Sequence, residues 1–124
     1  MSSHKAQVVA TNNHIEEDVT LLIEGTTVKC FISYCPYELE VGKTYDVELT
    51  LNLSDNYEIE RTETIQTLAE YTNRGYSYIL YGDLRNDILM TFTSINVEGI
   101  HYDHPECNDH FIKLKVERID ASFH

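Results

Sequence analysis

The chain has 124 residues, 42% hydrophobic and 24% charged, with nine Lys and Arg against twenty-one Asp and Glu for a formal net charge of −12. That length points to one domain whose core needs neither disulfide nor metal, and the composition is that of an ordinary globular protein, so a folded chain rather than a disordered one is expected. The charge repels phosphate backbones and anionic lipid, and it attracts basic partners.

Met1 to Ala10 contain no apolar h-region, and no apolar run reaches the roughly 18 residues of a membrane span, so neither a signal peptide nor a membrane segment is expected. The cysteines are Cys30, Cys35 and Cys107, an odd number that fits a reducing compartment better than a disulfide framework. The expected location is the cytoplasm.

Residues 1–17 are polar apart from a short "AQVVA" and read as an N-terminal tail with room for one edge strand. Residues 18–124 are expected to form a single β-barrel domain. Val19, Leu21 and Ile23 alternate with secondary positions, "EGTT" offers a turn, and Val28, Cys30, Ile32 and Tyr34 resume the alternation, which is the pattern of a hairpin. Pro36 stops the second strand because it has no N–H for a ladder. In "ELEVGKTYDVELTLNL" the residues Val47, Leu49, Leu51 and Leu53 share one face, and Glu48, Thr50, Asn52 and Ser54 the other.

"RTETIQTLAEYTNRG" (61–75) reads as the one short helix, with Thr62 as its cap, Glu63 at the positive end of the dipole and Gly75 at the stop. "YSYILYG" and "DILMTFTSINVEG" return to strands, joined by "DLRND". In the second of these the apolar parity changes between Phe92 and Ile95, which predicts a bulge near Thr93–Ser94. "FIKLKVERIDASF" alternates to the end, with Ile112, Leu114 and Val116 inward and Lys113, Lys115 and Glu117 outward.

The expected fold is mostly β: a single small antiparallel β-barrel with one short helix, or a β-sandwich of the same strands. The stretch "LEVGKTYDVELTLNL", the helix-like segment after it and the terminal "FIKLKVERID" give an element order that resembles the OB-type small barrel over about residues 18–120. That resemblance implies a helix between the third and fourth strands.

"HYDHPECNDH" places His101, His104, Cys107 and His110 at steps of three. On a strand they would alternate between faces, and on a helix they would fan over half the circumference, so only a loop folded around an ion could gather them. The spacing matches no usual zinc pairing, and Asp103, Pro105, Asn108 and Asp109 are turn formers, so the preferred reading is a polar hairpin loop without metal. The elbow, phosphate-loop, dinucleotide and zinc-protease motifs of common enzymes are missing from the sequence, and no catalytic residue and no cofactor is assigned.

Nine tyrosines and no tryptophan leave protein recognition as the favoured role. The expected partner is a basic protein, by analogy of charge and size with immunity proteins against nuclease toxins. The candidate contact residues are Asp55, Glu58, Glu60, Glu63, Asp83 and Asp87, together with Tyr76 and Tyr78. The alternative is an OB-type binder of single strands that uses Tyr76, Tyr78, Lys113 and Lys115, and the net charge disfavours it. Self-association is compatible with the sequence.

Overall fold

The computed structural model describes residues 3–124. In chain order the strands are β1 (His4–Thr11), β2 (Asp18–Ile23), β3 (Thr26–Tyr34), β4 (Thr44–Asn52), β5 (Ile59–Arg61), β6 (Ala69–Tyr71), β7 (Tyr78–Arg85), β8 (Ile88–Met90) and β9 (Ser94–Asn96). A one-turn helix α1 (Ile100–Asp103) and a 3-10 turn (Pro105–Cys107) follow, then β10 (His110–Val116) and β11 (Arg118–Phe123).

Five strands close a barrel in the order β1-β2-β3-β11-β4, with β4 returning to β1. The β3–β11 junction is parallel and the others are antiparallel. Side chains alternate along each strand, so Val19, Leu21 and Ile23, Val28 and Cys30, Val47 and Leu49, and Ile119, Ala121 and Phe123 all point inward and are buried. Each fully buried Leu, Ile or Val contributes about 1.5–3 kcal/mol relative to exposure, and closure leaves the ring no free edge. The β2–β3 hairpin turns on two residues with positive φ, Glu24 (47°) and Gly25 (85°), a pairing that matches the twist of the strands.

Residues 53–117, between β4 and β11, build a second sheet in the order β5-β10-β7-β8-β9, with β6 on β7 beside β8. Its inner face carries Tyr78, Leu80, Leu84, Leu89, Ile95, Ile112, Leu114 and Val116, all buried in one core cluster with the barrel interior. The backbone of Met90–Thr91 crosses so close to β7 that a Cβ at position 82 would lie 2.2 Å from the Met90 carbonyl oxygen, so this position requires glycine.

Four expectations are corrected. Residues 61–75 form no helix: Thr62 donates its N–H to the Phe111 carbonyl, and the Leu68 carbonyl accepts from the Tyr81 N–H and the Thr91 hydroxyl. Sheet partners thus take the Leu68 carbonyl that a helix would have paired internally, and the short helix lies instead at Ile100–Asp103. The N-terminal segment is no edge strand, because β1 pairs with both β2 and β4 and completes the ring. The parity change near Ser94 comes from a tight turn rather than a bulge, since β8 and β9 pair as a hairpin around residues 91–93. "FIKLKVERIDASF" is two strands in different sheets, parted at Glu117, whose N–H donates to the Asn52 carbonyl over 2.9 Å.

Candidate functional site

Charge pairing decides which surfaces remain available. Seven of the nine Lys and Arg side chains lie within 4.0 Å of a carboxylate: Lys5 with Asp46, Lys29 with Asp18, Lys43 with Glu40, Arg85 with Asp109, Lys113 with Glu60, Lys115 with Glu58 and Arg118 with Asp120. Such surface pairs add little stability. Their consequence is electrostatic, for the protein's own carboxylates already engage most of its cations.

The residues expected from the sequence to contact a partner fall into separate groups. Glu58 and Glu60 pair across β5 and β10 with Lys115 (3.7 Å) and Lys113 (3.2 Å), the same lysines expected to meet phosphates. Burial is not the cause of the raised Lys113 pKa, which comes first from its hydrogen bond to Glu60 and then from the attraction of that carboxylate. Asp83 lies half-buried on β7, in register with Phe111 and Met90. Asp55 and Glu63 are exposed, in the segments before and after β5. Asp87 is structural: its backbone carbonyl accepts from Val97, and its carboxylate accepts from the Gly99 N–H and lies 3.3 Å from His101 Nδ1.

The two tyrosines dock the second sheet on the barrel. Tyr78 is buried, and its hydroxyl accepts the Lys29 N–H; burial raises its pKa despite that hydrogen bond. The Tyr76 ring meets Phe31 edge-on at 5.7 Å with the Lys29 ammonium 5.2 Å above it. Partial burial, then Asp18 and Glu17, raise the pKa of its hydroxyl.

The histidine-rich stretch does not converge. His101 sits on α1 beside Asp87, and His104 meets Tyr57 edge-on at 5.4 Å with Glu106 4.0 Å away. His110 Nε2 lies 3.5 Å from the Arg61 guanidinium, which can only donate, so that nitrogen is the acceptor. Cys107 is buried, and desolvation, then Glu106, push its thiol upward and away from the thiolate a metal or substrate would need. Among the described residues no three His, Cys, Asp or Glu side chains are placed to hold a metal ion.

The surface with the features of an interface lies at one end of the barrel, between the β1–β2 loop (12–17) and the β3–β4 connection (35–43). Asn12 builds the first wall: its side-chain carbonyl accepts the N–H groups of His14 and Ile15, and the Glu17 carbonyl accepts from Ile32. The second wall is built from tyrosines. Tyr37 stacks on Tyr45 at 5.5 Å and donates its hydroxyl to the His124 carbonyl, while the Tyr45 hydroxyl accepts the Glu40 N–H.

Between these walls runs an open groove of about 540 Å³ whose lining includes Glu16, Glu17, Ile32, Tyr34, Tyr37, Glu38 and Leu39. Two exposed large hydrophobic side chains, Tyr34 and Tyr37, line it beside the half-buried Ile32 and Leu39, and the exposed Ile15 belongs to the loop that forms its first wall. Among the described residues, Glu16, Glu17 and Glu38 have no Lys or Arg partner. Two other grooves differ in chemistry. One of about 570 Å³ contains the mutually paired Glu58, Glu60, Lys113 and Lys115, and one of about 600 Å³ separates the barrel from the second sheet.

Along residues 1–124 the chain matches the family model described as Uncharacterised conserved protein UCP019853. The chain belongs to this family. No curated protein and no solved structure matches it. In this chain Tyr34, Tyr37 and Glu38 of the groove lie together in "SYCPYELE". That string of tyrosine, proline and acid was the one local signal of the groove. The rest of the site comes from segments that meet only in the fold.

Proposed function

We propose that the protein is a non-catalytic binding module for a basic protein partner, which it engages through the barrel-end groove. The observation that carries this reading is the coincidence of two exposed tyrosines and half-buried aliphatic side chains with three carboxylates that no Lys or Arg among the described residues answers. Tyrosine supplies contact area at low entropic cost, and free carboxylates around it steer an oppositely charged partner. Immunity-protein-like inhibition of a nucleic-acid enzyme is one form this would take, because such targets are basic.

The alternative is an OB-like barrel that binds single strands, with Lys29 over Tyr71 and Tyr76 and Arg118 over Phe31 as its stacking platform. Asp18 and Asp120 already hold both cations, which weighs against phosphate binding there.

The test is affinity capture from native lysate with elution by rising salt, using three baits. Wild type should retain a basic protein, and Glu16→Lys/Glu17→Lys/Glu38→Lys should lose it. Asp55→Lys/Glu63→Lys/Glu70→Lys, which makes the same change in net charge elsewhere, should keep it. Loss with the second variant and not the first would move the interface to β5 and β6. Recovery of nucleic acid alone would replace this reading with the OB-like one.

A further inference from the structure

Where the second sheet meets the barrel, side chains from three separate segments converge. Thr93, 4% exposed in the turn between β8 and β9, places its hydroxyl oxygen 3.1 Å from His4 Nδ1 on β1 and hydrogen-bonds the carboxylate of Glu24 in the β2–β3 turn. The other imidazole nitrogen, Nε2, is 2.8 Å from the carbonyl oxygen of Ser94.

The protons in this chain can be counted. A carbonyl oxygen only accepts, so Nε2 carries a hydrogen. Thr93 has one hydroxyl hydrogen and two neighbours that would take it. If it goes to an ionised Glu24, Nδ1 must carry a hydrogen aimed at Oγ1, and the ring is an imidazolium. If it goes to a bare Nδ1, Glu24 must be protonated to keep its bond to Oγ1. The two arrangements contain the same extra proton and differ only in where it sits. Without it, one lone pair faces another and a link is lost.

We propose that this shared proton clasps the second sheet to the barrel, and that the clasp loosens as pH rises and the proton leaves. The surroundings suit a positive charge. On β1 the adjacent cation, Lys5, is engaged by Asp46 of β4. Glu48 from β4 and Glu98 from beyond β9 line the same groove as His4 and Ser94, and no Lys or Arg lines it. Glu24 is the charged group of the β2–β3 turn, and residues 91–93 contribute none. The clasp therefore holds one end of the groove between the sheets, independently of the barrel-end surface proposed for partner binding.

Thermal unfolding from about pH 5.5 to about pH 9, the span over which histidines ordinarily titrate, tests the clasp. Wild type should melt above Thr93→Val by about 4 °C at the acid end, and the gap should narrow at the alkaline end, where the bond from Thr93 to Glu24 alone remains. Thr93→Ser, which keeps the hydroxyl, should follow wild type. In a His4→Ala background Thr93→Val should produce no pH-dependent gap. A gap equal at both ends, or a pH dependence of the gap that survives His4→Ala, overturns the proposal. Should Thr93→Val fail to fold, NMR of wild type decides: a shared proton makes the His4 ring and the Glu24 carboxyl respond in the same titration step, whereas unrelated steps refute it.

Discussion

The backbone N–H of Lys29 donates to the hydroxyl of Tyr78 over 2.7 Å, joining β3 of the barrel to β7 of the second sheet across 49 residues of sequence. Tyr78→Phe keeps the ring in the core and leaves that N–H without its acceptor. The expected loss is about 1–2 kcal/mol, read as a lower urea midpoint at an unchanged m-value.

Alkaline pH should weaken the fold. Burial raises the Tyr78 hydroxyl above the ordinary tyrosine value of 10.0, and it raises the Cys30 and Cys107 thiols above the ordinary 9.0. The unfolded chain releases these protons at the ordinary values, so above them it holds fewer protons than the folded chain. The stability they confer is complete below about pH 9 and falls as pH climbs through and beyond that range. Melting temperatures measured toward alkaline pH should therefore decline with increasing slope, and a flat profile would contradict this assignment.

Gly82→Ala should be severe, because its Cβ meets backbone atoms of Met90 and Thr91 that cannot swing aside. A cost of about 3 kcal/mol is expected from overpacking. Gly25→Ala finds open space and only a strained positive φ, so about 1 kcal/mol should suffice. Chemical denaturation of the two variants side by side checks the contrast.

Cysteine alkylation should be selective. Cys35 is partly exposed in the β3–β4 connection, its thiol donating to the Tyr37 carbonyl, whereas Cys30 and Cys107 are buried with raised thiols. Native protein treated with iodoacetamide should label at Cys35 first, with the other two reacting only on unfolding. Labelling at Cys35 should also block partner capture, because the residue lines the barrel-end groove.

Much of the strand content was legible because alternation is a local property. Val47 and Leu49 face the core as their parity requires, while Leu51 and Leu53 on the same parity line the groove between the sheets and are only half-buried. Parity assigns a face, and what lies against that face depends on residues far away. The histidine stretch illustrates the same limit, since its even spacing carried no information about His104 turning to Tyr57 and His110 to Arg61.

By itself the sequence determined the β character, a turn within "EGTT" and the surplus of negative charge, since each follows from neighbouring residues or from composition; the structure narrows that turn to Glu24–Gly25. Tertiary structure alone decided that residues 61–75 extend rather than coil, that β1 closes the ring and that Glu117 divides one alternating run between two sheets. It also decided which carboxylates stay free. The deciding hydrogen bonds, and five of the seven ion pairs, are made with a residue distant in sequence, and local pattern cannot register a partner that only folding brings near.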